Sequence, residues 1–192
     1  TDRVDFATFS GHKFHAVRGV GFVYKKAGKK ITPLLTGGGQ EKDFRSTTEN
    51  VAGIASMAKA LRLVTDKEEF SLPKIAKMKK IIFDELAKYE DITIFSGEGE
   101  DFAPNILTFG IKGVRGEVIV HAFEEHQIYI STTSACSSKA GKPAGTLISM
   151  GVPTKLAQTA VRISLDDDND MGQVEQFLTI FKQVYAKTQK VR

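Results

Sequence analysis

The stretch VRISLDDDNDMGQVEQFLTIFKQVY, residues 161–185, decides the class of fold. Val161-Arg162-Ile163-Ser164-Leu165 is a short run rich in β-formers and reads as a strand. Met171, Val174, Phe177, Leu178, Phe181, Val184 and Tyr185 then recur at intervals of three and four, the apolar stripe of an amphipathic helix. Working back from that pair, helices are predicted near 144–150 and 154–160 and a strand at Ile128–Ser131. Before them come a helix over 114–126 ending in His126 and strands at Ile92–Phe95 and Ile106–Phe109. Strands and helices alternate through this half, which predicts an α/β layer.

The N-terminal third reads differently. Residues 4–10 and 20–24 are predicted strands, and Thr36-Gly37-Gly38-Gly39-Gln40 is too Gly-rich for a helix or an inner strand. Ser46-Thr47-Thr48-Glu49 has the form of a capping box and predicts a helix start, with Val51, Ile54, Ala55, Ala58 and Leu61 on one face. A second helix is predicted from Ser71-Leu72-Pro73, striped by Ile75, Met78, Ile82 and Leu86. Asp66-Lys67-Glu68-Glu69 separates the two, so a boundary is expected at 65–72. No internal repeat or low-complexity segment interrupts the chain.

The chain has 192 residues, 41% of them hydrophobic and 26% charged, enough for a substantial core. The net charge of +4 is spread over small lysine clusters at Lys25-Lys26, Lys29-Lys30 and Lys77-Lys79-Lys80. They read as solvated turns and helix faces, and no basic stripe with interleaved aromatics points to direct nucleic-acid binding. No apolar run approaches the ~20 residues that span a bilayer, so no membrane association is expected. The single cysteine, Cys136, excludes an intrachain disulfide and predicts a reducing, cytoplasmic setting. Thr1-Asp2-Arg3-Val4-Asp5 is unlike a signal peptide and leads at once into strand-like sequence, as expected of a cut through a longer protein.

Four places carry chemistry. Lys13 follows a predicted strand in the turn Ser10-Gly11-His12-Lys13; the end of a strand suits a lysine that must reach a carbonyl cofactor, and equally an ordinary surface lysine. The Gly run followed by Arg45-Ser46-Thr47-Thr48 offers backbone N–H groups, hydroxyls and a guanidinium to a phosphate, or is simply a capped helix after a loop. Cys136 stands in the small, polar segment from Ser131 to Lys139, which predicts an exposed loop rather than a core. Lys139 nearby favours the thiolate, the attacking form. Arg162 is flanked by apolar residues and needs a partner, either a substrate carboxylate or an internal Asp or Glu.

Together these stretches resemble the NifS/IscS-type cysteine desulfurases of the class V aminotransferase fold. The resemblance rests on S-G-H-K at 10–13, G-V-G at 19–21, G-G-G-Q-E at 37–41, R-S-T-T-E-N at 45–50, S-A-C-S-S at 134–138 and R-I-S-L at 162–165, in the family's order. It implies the C-terminal part of a fold type I pyridoxal-phosphate (PLP) transferase. Residues 1–68 would end the large cofactor domain, and 69–192 would form the small α/β domain carrying the cysteine loop. It also implies roles. Lys13 would hold PLP covalently and move protons on the substrate. Ser10 and His12 would hold the cofactor phosphate, and Thr48 would reach the phosphate of the partner subunit's cofactor in a homodimer. Arg162 would bind the carboxylate of L-cysteine. Cys136 would take the sulfur as a persulfide, releasing alanine, for a sulfur acceptor or scaffold protein serving iron–sulfur clusters or tRNA thiolation. The long S-A-C loop resembles the NifS/IscS branch more than the SufS branch.

Several positions depart from the family pattern. Thr47, Asp43, Thr133 and Asp166 stand where glycine is usual, and His15-Ala16-Val17 replaces an aromatic-Gly-Pro run. The histidine that stacks on the cofactor ring, the aspartate on its nitrogen and a glutamine near its oxygen belong to the family's first half, so activity is expected of the longer parent and not of this chain alone. Two other readings remain open: another class V PLP enzyme, such as an aminotransferase or selenocysteine lyase, or a non-catalytic module that docks sulfur acceptors. Cys136 discriminates them, because a transaminase has no need of a loop cysteine.

Overall fold

A computed structural model describes residues 3–99, 101–132 and 145–190. The chain divides into two compact units, Thr1–Glu69 and Phe70–Arg192.

The first unit opens with a β-hairpin. β1 (Phe6–Ser10) pairs antiparallel with β2 (Gly21–Lys25). The tight geometry explains the glycines of the 19–21 motif. Gly19 has φ 85°, and a Cβ on Gly21 would run into the Phe9 carbonyl oxygen across the pair. Phe9 stacks on Phe22 with ring centroids 4.6 Å apart.

The predicted helix start is displaced. Residues 46–50 are not helical, and α1 runs from Val51 to Leu86. Asn50 is the cap: its Oδ1 accepts the Gly53 N–H at 3.0 Å. The Ser46 N–H instead donates to the Leu35 carbonyl at 3.0 Å, which ties Ser46 into the preceding loop.

The predicted break between two helices is absent as well, since α1 continues through Asp66–Glu69 with Pro73 inside it. Residues 61–70 are all exposed, so their charges cost nothing in a helix. Pro73 withdraws one N–H, the donor that the Glu69 carbonyl would otherwise receive. The division between the two units falls at that carbonyl.

The second unit holds the core. β3 (Ile92–Ile94), β4 (Ile106–Ile111), β5 (Ser131–Thr132) and β6 (Ala160–Ser164) form an antiparallel sheet in the order β3-β4-β6-β5. The strand predicted at Ile128–Ser131 is shorter and later. Gln127 turns the chain with φ 59°, and Ile128 and Ile130 pack on the core without joining the ladder.

Period-2 alternation gives the sheet two unlike faces. Leu107, Phe109, Ile111, Val161 and Ile163 face the main core. There they meet Ile75, Met78, Ile82 and Leu86 of α1, Ile119 and Phe123 of α2 (Gly116–Glu124), and Val174, Phe177, Phe181 and Val184 of α5 (Met171–Lys190). Phe123 stacks on Phe177 at 5.1 Å. Each fully buried Leu, Ile or Phe of this set stabilises the unit by about 1.5–3 kcal/mol.

On the opposite face Ala160 packs with Leu147 of α3 (Gly145–Ser149) and Ala157 of α4 (Thr154–Ala157), joined by Phe95 and Val152.

Candidate functional site

The chemistry of the first unit gathers at the corner where β1 ends. Ser10 closes the strand, and Gly11–Phe14 form a 3-10 turn that carries His12 and Lys13. The turn is pinned by backbone. The Gly11 N–H donates to the Val20 carbonyl at 2.9 Å, and the Ala16 N–H donates to the Gly11 carbonyl at 3.0 Å. His15 adopts the left-handed conformation, φ 70°, that ends the turn. Gly11 is buried, and a Cβ there would stand 2.9 Å from the Val20 oxygen, so no larger residue fits without moving the corner. Phe14 adds an edge contact to Phe22 at 6.3 Å. Lys13 thus lies on a turn anchored on one side by Gly11 and on the other by Phe14.

Ser10, His12 and Lys13 are all exposed, and among the described residues their side chains take no hydrogen-bond partner. An amine, an imidazole and a hydroxyl on one rigid turn are the donors that an aldehyde cofactor with a phosphate requires, so the residues present fit PLP.

The Gly-rich segment leads into a second, tighter device. Gly37 and Gly39 have φ 149° and 81°, and Glu41, Lys42 and Asp43 follow at 53°, 56° and 65°. Three consecutive non-glycine residues in the left-handed region carry strain, least for Asp, whose short side chain tolerates it. Asp43 is one of the positions where the resembled family has glycine, and its backbone angle is one that glycine adopts freely. Gln40 Oε1 is buried here without a partner among the described residues. Thr48 is exposed in the loop between this segment and the Asn50 cap.

Arg162 lies in the second unit, on β6, in the face of the sheet away from the main core. Burial falls along that face from Ala160, buried, through Arg162, half-buried, to Ser164, exposed. Its Nε is buried and has no hydrogen-bond partner among the described residues. An internal Asp or Glu partner, the alternative left open by sequence, is therefore not present among them. Cys136 and Lys139 lie outside the described residues; in sequence Cys136 follows Ser131, the Cα partner of Arg162, by five residues.

The structure thus brings Ser10, His12 and Lys13 together on one corner, while Thr48 lies on a later loop of the same unit and Arg162 belongs to the other. Two residues escaped the sequence reading. Thr108 and Ser131 flank Arg162 in register on β4 and β5. The only trace in sequence is a polar residue within the apolar run Ile106–Ile111; the register that sets it beside Arg162 is tertiary.

The Aminotransferase class-V family model matches residues 2–177. A NifS/IcsS protein homolog of Lactobacillus delbrueckii subsp. bulgaricus is 47% identical over 191 residues, which is 100% of this chain and 50% of the relative. Cysteine desulfurase IscS of Dictyoglomus turgidum is 35% identical over 162 residues, 84% of this chain and 41% of that protein. Among solved structures, a NifS-like protein from Rickettsia africae matches with a TM-score of 0.82 at 32% identity, covering 95% of this chain and 48% of that one. Another NifS-like protein gives 0.80 at 32% identity, with 95% and 46% covered. The chain spans about half the length of the curated relatives it matches. With the family model running through nearly all of its length, the chain belongs to the class-V aminotransferase family.

Proposed function

We propose that this chain supplies the lysine, the arginine and the thiol of a PLP-dependent cysteine desulfurase, active in a protein of the relatives' full length. The observation that carries the reading is the placement of the chain's one cysteine, five residues beyond the register partner of an arginine whose Nε is buried and unpaired. A carboxylate receiver followed closely by a nucleophile is what a reaction on the side-chain sulfur of an amino acid needs. An aminotransferase would use the arginine and leave the cysteine idle. The names of the relatives at 47% and 35% identity favour the same choice.

PLP, when bound, supplies the electron sink for the carbon chemistry. Ser10 and His12 hold its phosphate, Thr48 serves the cofactor of a second subunit in a homodimer, and Lys13 holds the cofactor and moves protons at the substrate's α- and β-carbons. Arg162 fixes the L-cysteine carboxylate through its guanidinium fork. The Cys136 thiolate attacks the substrate sulfur. The bond between that sulfur and the β-carbon breaks, the persulfide remains on Cys136, and protonation of the three-carbon remainder releases alanine. A second thiol, on an acceptor or scaffold protein, then takes the outer sulfur by exchange. Residues 1–68 act as the end of a large cofactor domain and 69–192 as the small domain.

The test extends the chain to the relatives' full length, supplies PLP and L-cysteine, and reads the Cys136 peptide by mass spectrometry. One added sulfur atom on Cys136 together with released alanine is expected, and both are lost in Cys136→Ser. Cofactor binding at Lys13 with Cys136 unmodified would instead point to an aminotransferase or lyase.

A further inference from the structure

Arg162 is the middle member of a polar row. Ser131 on β5, Arg162 on β6 and Thr108 on β4 are Cα partners in adjacent ladders. Directly opposed residues point to the same face, with Cβ atoms about 4.5–5.5 Å apart. One step away on that face Gly110 pairs with Ala160, both buried, and the cluster of Leu147, Ala157, Phe95 and Val152 closes that end. The row therefore stands where the apolar cover ends.

Thr108 is held firmly there, only 8% exposed. Its N–H donates to Ser96 Oγ at 2.8 Å, and its carbonyl accepts from the N–H groups of Phe95 and Ser96 at 2.8 and 3.4 Å. Its backbone is satisfied, while neither its hydroxyl nor that of Ser131 has a hydrogen-bond partner among the described residues. Three polar groups on one face, the two hydroxyls and the Arg162 Nε, are thus without a hydrogen-bond partner among the described residues.

The position of Nε matters. It is the guanidinium nitrogen nearest the backbone, so a ligand that satisfies it must seat side-on and deep, against the floor of the sheet. That is the level of short Ser and Thr hydroxyls. A carboxylate gripped by Nε and one terminal nitrogen would bring an oxygen within reach of the flanking hydroxyls. We propose that Thr108 and Ser131 are positioning residues that, with Arg162, form a side-on receiver for the carboxylate of a small α-amino acid. The proposal rests on the reading of Arg162 as the substrate-carboxylate residue and adds what fixes the carboxylate's plane.

The experiment titrates the 192-residue chain with L-alanine, which has the carboxylate but no sulfur to transfer, and follows the Arg162 Nε–Hε resonance by NMR. L-alaninamide, which lacks the carboxylate, is the control. Alanine is expected to move the Arg162 signal and alaninamide to leave it. Thr108→Val and Ser131→Ala are each expected to weaken alanine binding by about fivefold, one neutral hydrogen bond. Thr108→Ser, which restores the hydroxyl on a smaller side chain, should recover it, and that rescue separates lost positioning from lost packing. If Thr108→Val and Ser131→Ala bind alanine as the parent chain does, the flanking role is overturned while Arg162 keeps its own. If Arg162→Gln, followed through the backbone amide signals of β4 and β6, also binds alanine unchanged, or if the parent chain shows no carboxylate-dependent shift, the carboxylate reading of Arg162 falls with it. Persulfide formation on Cys136 is read separately and is untouched by either result.

Discussion

Gly11 shows how a single residue sets the geometry of its neighbour, the lysine proposed to hold the cofactor. It is buried, its N–H and carbonyl both hold the turn, and a Cβ would press on the Val20 carbonyl at 2.9 Å. Backbone cannot give way as a flexible side chain does, so Gly11→Ala must shift β2 or the 3-10 turn that presents Lys13. The expected cost is about 1–3 kcal/mol, in the range of backbone and overpacking effects. Amide exchange over residues 6–25 in a protein of the relatives' full length is the measurement, because those positions share the hairpin and its turn. Protection should fall there and stay unchanged in β4 and β6. Equal protection across 6–25 in the variant would mean that the corner is not held by this contact. Lys13 itself, exposed and without a hydrogen bond among the described residues, carries no local mark of the role proposed for it, whereas the glycine two positions before it is fixed by its surroundings.

Helices α1 and α5 meet at one charged residue. Glu85 of α1 accepts from Lys88 Nζ at 2.6 Å, from Lys182 Nζ of α5 at 3.3 Å and from the Tyr89 hydroxyl at 3.3 Å, with only 13% of its side chain exposed. The hydrogen bond from Lys88 leads in holding its carboxyl below the ordinary value of 4.5, burial opposes, and Lys182 adds to the lowering. A carboxyl with a lowered folded pKa contributes stability above its unfolded value and loses it as pH falls through the folded one. Glu85→Gln should therefore melt roughly 2–4 °C below the parent chain at pH 7. That gap should close as pH drops below 4.5, which thermal melting from pH 7 to 3 would show. A gap that stays constant with pH would make the effect one of shape and not of charge. Element by element, the sequence was legible where periodicity was strong. The stripe of α5 and the apolar runs of β4 and β6 are direct consequences of a core on one side. It was misleading where local chemistry competes. Ser46–Glu49 has the form of a cap, yet the Ser46 N–H is engaged by the Leu35 carbonyl of the preceding loop, and Asn50 takes the role. Asp66–Glu69 reads as a break and Pro73 as the first turn of a second helix, yet a single missing donor does not end a helix whose next turns are anchored by Ile75, Met78 and Ile82. Of the candidate site, residue types and order were visible, whereas the pairing of Thr108 and Ser131 with Arg162 required the register of three strands.

The two units differ in what holds them together. Every buried residue of the main apolar cluster, from Ile75 to Val184, belongs to Phe70–Arg192. Among the described residues of Thr1–Glu69, the buried hydrophobic side chains are Ala16 and Ala60, while Leu34, Val51 and Val23 are 95%, 72% and 58% exposed. Two alanines give little transfer free energy, and ordering each residue's backbone costs about 1–2 kcal/mol. The second unit has the apolar burial to offset that cost and the first does not. Residues 70–192 expressed alone should unfold in urea as one cooperative transition, with the midpoint of the whole chain. Residues 1–69 alone should give no cooperative transition by circular dichroism. If residues 1–69 unfold cooperatively, the hairpin and the first half of α1 carry stability that burial does not account for. If they do not, the corner that presents Lys13 depends for its order on chain beyond the first unit, while the row around Arg162 is built on ground that stands by itself. The proposed carboxylate receiver is then measurable in the second unit alone, and the chemistry proposed for Lys13 is measurable only at the relatives' full length.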